Sequence, residues 1–173
     1  MDYGAWIRQF HSGDTSDFDA FYQATSRQVY FTALGILKDR AAAEDVMQDT
    51  YVSFLRTVDR VRPEQNIAAY LCVIARNRAL NLLKRDKRTV YGEGALKVLS
   101  AEAAPDNDGT VEQILSLLDR ADEREIVTYH VVLGYKFREI AGIMRIPLGT
   151  VLWRYNKAIK ALRRKMEDSH EKE

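Results

Sequence analysis

Cysteine is nearly missing from these 173 residues: Cys72 is the only one, so no disulfide can form within the chain. A lone thiol suits a reducing compartment. Its neighbours Leu71, Val73 and Ile74 are apolar, the setting of a buried structural thiol rather than a nucleophile. Histidine is equally thin. His11, His130 and His170 stand far apart, and none has the spacing of a metal-ligand pair. Asp45 and Asp49 fall at i, i+4 but lack an obvious third ligand. Neither Gly92 nor Gly94 is followed by Lys-Ser or Lys-Thr, so a phosphate-cradling loop is missing too. These gaps argue against an enzyme, and no cofactor, metal or small-molecule substrate is expected. No uncharged apolar stretch approaches the roughly 18–20 residues that a membrane span needs. The opening MDYGAWIRQF has no basic segment followed by an apolar run. A soluble, cytoplasmic protein is therefore expected.

Proline is scarce as well, with three in the chain, while hydrophobic residues make up 46% and charged residues 29%. That composition belongs to a folded, helix-rich protein rather than a disordered one. Nothing reads as a run of strands, and apolar positions recur at helical steps almost throughout. The expected fold class is all-α: two small helical domains joined by a flexible linker. Residues 16–37 turn Phe18, Phe21, Val29, Tyr30, Ala33 and Leu34 inward, with a break allowed near Thr25 and Ser26. Residues 40–61 carry Ala43, Val46, Met47, Thr50, Phe54, Val58 and Val61 on one stripe, an amphipathic helix of about five or six turns. Residues 66–88 bury Ile67, Leu71, Ile74 and Ala75. From 89 to 110 the period fails, and Gly92, Gly94, Pro105, Asp106, Asn107, Asp108 and Gly109 read as a linker. The predicted domains are thus 1–88 and 111–173. Four shorter helices are expected in the second, over 111–119, 123–133, 137–144 and 148–167, with Asp122 and Glu125 spaced as a capping box.

Net charge is only +1, but the charges are unevenly placed. In FREIAGIMRIPLGTVLWRYNKAIKALRRK, Ala141 and Val151 flank a short turn at the spacing of a helix-turn-helix, the small residue letting the two helices approach. Val151, Tyr155, Ala158, Ile159, Leu162 and Met166 form the core stripe of the second helix. Its remaining surface holds Arg154, Lys157, Lys160, Arg163, Arg164 and Lys165, with no acid between Leu148 and Lys165. Such a helix suits a groove lined with phosphates, its first turns reaching base edges. A basic face can also be merely solvated, but the small–turn–apolar spacing attached to this one favours DNA. Thr150, Trp153, Arg154, Lys157 and Lys160 are the candidate contacts. Trp153 has two readings, one against a sugar or thymine methyl, the other packed on a neighbouring helix.

The first half offers two further faces. On the 40–61 helix, Glu44, Asp45, Gln48, Asp49, Val52 and Arg56 point away from the core. Acidic faces are often only solvated, yet Val52 among carboxylates suits a protein interface. On the 66–88 helix, Tyr70, Asn77, Asn81, Lys84 and Arg88 share one face. Aromatics stack on unpaired bases, amides read base edges and cations follow the backbone. The preceding loop, with Arg62, Gln65 and Asn66, supplies polar groups suited to an extruded base. The other reading of this face is a basic amphipathic helix with a buried tyrosine.

Together these residues resemble the extracytoplasmic-function sigma factors, over about 16–88 and 111–166. AEDVMQDTYVSFL and AAYLCVIARNRALNLLKRDKR resemble the family's second sigma region, and GYKFREIAGIMRIPLGTVLWRYNKAIKALRRK its fourth. The resemblance implies core RNA polymerase as a partner, through the clamp helices of the largest subunit and the flap region. It also implies promoter DNA and an anti-sigma factor, which can hold such a protein at the membrane. It assigns Asp45, Gln48 and Asp49 to the polymerase, residues 62–66 and Asn77 to the minus-ten element, and Gly149, Thr150, Val151 and Arg154 to the start of the helix that reads the minus-thirty-five element, with Thr150 and Arg154 as readers because Val151 is core. From the helix faces read above, Val52 joins the polymerase set, and Tyr70, Asn81, Lys84 and Arg88 join the minus-ten set. Several positions depart from the pattern. Tyr70 stands for a usual tryptophan, Asn81 for an aspartate and Leu152-Trp153 for Lys-Ser. Lys136 replaces a Ser or Thr helix cap, which costs about 1 kcal/mol, and Arg145 fills a turn position usually held by glycine.

The expected function is promoter-directed transcription initiation. Its rival is a stand-alone helix-turn-helix regulator whose first half dimerises or senses a signal.

Overall fold

The computed structural model describes residues 2–91 and 109–170, with side chains over 2–85 and 111–167. Among the described residues every regular element is helical. The first half contains α1 (Tyr3–His11), α2 (Phe18–Leu37), α3 (Arg40–Thr57) and α4 (Ile67–Tyr91), with a single 3₁₀ turn, Val58–Arg60, after α3. The second contains α5 (Gly109–Ser116), α6 (Ala121–Val127), α7 (Phe137–Met144) and α8 (Leu148–His170), with a π-helical turn, Thr128–Val132, continuing α6.

Local chemistry explains where these helices start and stop. Helix α1, not foreseen in the sequence, is capped by Asp2, whose Oδ1 accepts from the Ala5 N–H at 3.2 Å. It buries Ile7 and Phe10, and Trp6 meets Phe21 edge-on at 5.7 Å. The break allowed in α2 does not occur. Thr25 donates its hydroxyl back to the Phe21 carbonyl at 2.8 Å and lies 2.6 Å from the Tyr51 hydroxyl, so its polar group is met inside the helix. Lys38 closes α2 in the left-handed region at φ 60. Asp39 caps α3 through the Ala42 N–H at 2.8 Å. Helix α3 ends at Thr57 rather than at the expected residue 61, yet the 3₁₀ turn keeps Val58 and Val61 buried.

In the second half the expected capping box at Asp122 and Glu125 does not form. The residue before α6 is Arg120, which makes no side-chain cap, and Asp122 sits within the first turn, bridged to Arg120 at 3.1 Å. Glu125 is turned inward to Arg76. Lys136 precedes α7 with an extended backbone. Its ammonium has no lone pair to accept with, and the Glu139 carboxylate instead accepts from the Lys136 N–H at 2.8 Å. Arg145 takes the left-handed conformation expected at the turn, φ 56. The Ile146 N–H there bonds back to the Ala141 carbonyl at 3.1 Å. Val151 is fully buried and Ala141 packs against the same cluster, which gives the helix-turn-helix its joint.

The two halves are packed together. Cys72 of α4 is buried in a cluster otherwise made by the second half, including Ile126, Tyr129 and Tyr135. Arg124, itself buried, donates to the Gly35 and Ile36 carbonyls at 3.0 and 3.2 Å. It therefore satisfies groups that the end of α2 leaves open. Gly35 sits so close to Thr128 that a Cβ would lie 2.7 Å from its Oγ1. Tyr135 donates to Gln28 Oε1 at 3.0 Å, and Arg40 pairs with Glu112. The predicted linker is described only at its ends, where α4 runs on to Tyr91 and α5 begins at Gly109; the rest lies outside the described residues.

Candidate nucleic-acid interface

Helix α4 presents two faces because its apolar residues recur on one side. Ile67, Leu71, Cys72, Ala75 and Ala79 are buried, while Asn77, Asn81 and Lys84 are exposed. Tyr70 shares the exposed stripe but is half-buried against the first half's core, so one edge remains to meet a base. The side chain of Arg88 lies outside the described residues. Two further cations of α4 have partners within the chain. Arg76 pairs with Glu125, and Arg78 pairs with Asp49 at 2.9 Å and bonds Ser53. Two carboxamides, Lys84 and Arg85 are exposed on the outward side. Each carboxamide offers donors and an acceptor on one planar group, which is what a base edge requires.

The loop before α4 divides its polar residues between structure and surface. Asn66 is the cap of α4, its Oδ1 accepting from the Ala69 N–H at 3.0 Å, so that oxygen is committed locally. Arg62 is exposed. Gln65 closes a turn through its N–H to the Arg62 carbonyl at 3.2 Å. Its side-chain nitrogen is buried and, among the described residues, has no hydrogen-bond partner.

On α3 the structure brings Asp45, Gln48, Asp49 and Val52 onto one exposed face. Val52 is 47% exposed, and Leu55, one turn away and 37% exposed, enlarges the apolar part of that patch. Sequence reading passed over Leu55 because it sits beside the buried Phe54; its three-residue step from Val52 is the signal that could have found it. Asp49 is also the partner of Arg78, so the acidic face of α3 and the amide-bearing helix α4 are directly linked.

On α8 the candidates separate. Trp153 is 62% exposed, and the Lys157 ammonium lies 5.4 Å from its ring centroid. The reading of Trp153 as packed on a neighbouring helix does not hold. Lys160 is exposed and Thr150 half-buried. Arg154 reaches Asp122 at 3.1 Å and Lys157 reaches Glu123 at 3.2 Å, so the first turn of α6 holds both cations. Burial pushes the Asp122 carboxyl up, but Arg120 and Arg154 outweigh it and hold it below its ordinary value. Asn156, exposed between Trp153 and Lys160 on the same outward stripe, carries no charge and so stands outside the basic pattern that marks this helix in the sequence.

These surfaces coincide with a known pattern. The sigma-70 region 2 family model matches residues 21–89, which are helices α2 to α4. RNA polymerase sigma factor CarQ of Myxococcus xanthus is 26% identical over 162 residues, covering 91% of this chain and 93% of its own. ECF RNA polymerase sigma factor SigK of Mycolicibacterium vanbaalenii is 24% identical over 170 residues, covering 92% and 87%. The fold resembles sigma factor RpoE, solved with the anti-sigma factor NepR from Bartonella quintana, at a TM-score of 0.71 and 21% identity over 87% of this chain and 97% of that one. It also resembles CnrH, solved with the cytosolic domain of CnrY, at 0.67 and 18% over 97% and 99%. At those identities the likeness is one of fold. The region 2 match falls on the helices that carry the acidic and amide faces, and the relatives run along almost the whole length, so this chain is similar to the sigma factors of the extracytoplasmic-function group.

Proposed function

We propose that this chain is a sigma factor that binds core RNA polymerase and directs it to promoters, making and breaking no bond itself. The α3 face, with Asp45, Gln48, Asp49 and Val52, docks on the clamp helices of the largest subunit, and the second half reaches the flap region. Arg62, Gln65, Asn66, Tyr70, Asn77, Asn81, Lys84 and Arg88 receive the unpaired minus-ten strand. Thr150, Trp153, Arg154, Lys157 and Lys160 meet the minus-thirty-five duplex. The division into 1–88, a linker over 89–110, and 111–173 lets the two readers reach separate elements once the packed halves part. An anti-sigma factor would cover these faces, and the site of action is the cytoplasm.

The observation that carries this reading is the exposed row Asn77–Asn81–Lys84 on a helix tied through Arg78 to the acidic face of α3. Base capture and polymerase docking then share one rigid unit. Run-off transcription with core polymerase over a promoter library tests it. Asn77→Ala is expected to lose melting, and Asp49→Arg to lose core binding. Normal transcription by both variants would overturn the assignment. If the purified chain alone footprinted a palindrome, the regulator reading would replace it.

A further inference from the structure

Helix α1 belongs to none of the surfaces described so far, yet it touches the 58–66 segment at two points. The carbonyl oxygen of Pro63 lies where it would be 2.8 Å from a Cβ on Gly4, closer than real Cβ atoms come. One turn further on, Ile7 is fully buried. At the far end, the His11 ring places Nε2 2.9 Å from the Val58 carbonyl oxygen, an arrangement in which the ring N–H donates. Gly4, Ile7 and His11 follow steps of three and four, so they share one edge of the helix.

The helix is itself well anchored. Phe10 meets Phe21 at 5.4 Å and Phe54 at 6.4 Å, both edge-on, and Asp2 caps the first turn. The loop, by contrast, has few bonds of its own: Val61 N–H to the Val58 carbonyl at 2.8 Å and Gln65 N–H to the Arg62 carbonyl at 3.2 Å. Pro63 fixes one φ in it, so a push on the Pro63 carbonyl passes to Glu64 and Gln65 rather than being absorbed locally. Gln65 carries the buried side-chain nitrogen that has no partner among the described residues. A donor in that state lacks an acceptor, and a base carbonyl or ring nitrogen would supply one once the loop opened to admit it.

We infer that α1 is the positioning element for base capture, with Gly4 and His11 as positioning residues that set where the 58–66 segment presents Gln65 to an unpaired minus-ten base. The inference rests on the proposed role of that loop. Gly4 acts by allowing backbone contact that any side chain would prevent, and His11 by fixing the start of the segment through its hydrogen bond.

Open-complex formation by holoenzyme, read by permanganate reactivity, on promoters carrying single minus-ten base substitutions tests this. Wild type is compared with Gly4→Ala, His11→Phe, His11→Gln and Gln65→Ala, with core affinity and melting temperature measured alongside. Gly4→Ala and His11→Phe are expected to reduce discrimination at the loop-contacted base about ten-fold while core affinity stays at the wild-type value. His11→Gln, which retains a donor, is expected to keep discrimination within about two-fold of wild type. Should Gly4→Ala fail to fold, the two His11 variants decide, because His11 is exposed. If Gln65→Ala flattens discrimination but Gly4→Ala and His11→Phe do not, the role of α1 is overturned and the loop assignment stands. If Gln65→Ala also discriminates normally, the loop assignment falls and the inference falls with it.

Discussion

Arg76 and Glu125 pair across the junction of the two halves, with Nε 2.5 Å from Oε1. The carboxylate side chain is 2% exposed and the guanidinium side chain 18%. Arg76 immediately precedes Asn77, so the residue beside a proposed base-contacting amide is held by the half that carries the helix-turn-helix. Taking such a pair out of water is costly, and it persists only where geometry and hydrogen bonding are good. A second contact, Nη2 to Oε2 at 3.4 Å, supplies part of that geometry.

Glu125→Gln leaves Arg76 a neutral acceptor in a mostly buried site, as protonation of the carboxyl also does, and is expected to change stability at neutral pH by less than about 1 kcal/mol. The pH dependence has a definite sign. Burial raises the Glu125 carboxyl above its ordinary value of 4.5 even though Arg76 pulls the other way. A carboxyl with a folded pKa above its unfolded one binds its proton more tightly when folded. Its contribution therefore grows as pH falls through the raised value and is complete below the ordinary one. The melting temperature of wild type should rise relative to that of Glu125→Gln as pH falls through that window. A relative fall would mean that Arg76, not burial, governs the acid.

Cys72 reports on the same junction. It is fully buried, its Sγ lies 3.6 Å from the Tyr135 hydroxyl, and burial pushes its thiol pKa up. Slow modification by a thiol reagent is therefore expected while the halves are packed. Arg124→Ala removes the donors to the Gly35 and Ile36 carbonyls and is expected to speed modification at least about ten-fold by favouring separation. A rate unchanged in this variant and in Glu125→Ala would show that the reagent reaches Cys72 without the halves parting.

Much of this was legible in the sequence, and what was not has a common cause. The helices of α2, α3, α4, α7 and α8 announced themselves by apolar period, and Val151 by its spacing from Ala141, because those features are local. The positive φ at Arg145 followed from turn position alone. Arg154 and Lys157 read as surface cations, and Arg76 and Arg78 carry the same charge, yet each of the four has an acidic partner 29 to 49 residues away in the chain. One-dimensional charge patterning cannot register such partners. The same applies to Glu125, which has the spacing of a capping residue and is instead drawn to Arg76. Helix α1 was not legible because it has only nine residues, too few for Trp6, Ile7 and Phe10 to mark a helical period.

The Asp49–Arg78 bridge separates a stability role from a binding role on α3. The Asp49 side chain is 66% exposed and that of Arg78 35%, so the pair is expected to contribute less than about 1 kcal/mol. Arg78→Ala should accordingly unfold within about 1 kcal/mol of wild type in a denaturant titration. Asp49→Arg should do nearly the same, yet weaken core polymerase binding at least about ten-fold by placing like charge where the partner expects an acid. If core affinity tracked stability through both variants, the α3 face would be a structural surface and not a docking one.

Trp153 and Arg154 are adjacent in sequence but should fail differently. The indole is mostly exposed, so Trp153→Ala is expected to leave stability within about 0.5 kcal/mol of wild type while changing base preference in the minus-thirty-five element. Arg154, proposed to meet DNA, is paired with Asp122 at 3.1 Å, and Asp122 stays ionised because Arg120 and Arg154 hold its carboxyl low despite partial burial. Arg154→Ala is therefore expected to cost about 1 kcal/mol of stability, to weaken duplex binding across all sequences, and to reduce the salt slope by about one. Asp122→Asn frees the guanidinium and should raise duplex affinity. Holoenzyme binding to a minus-thirty-five library at several salt concentrations distinguishes the cases. A shift of base preference in Arg154→Ala with none in Trp153→Ala would reverse the two assignments and make Arg154 the reader.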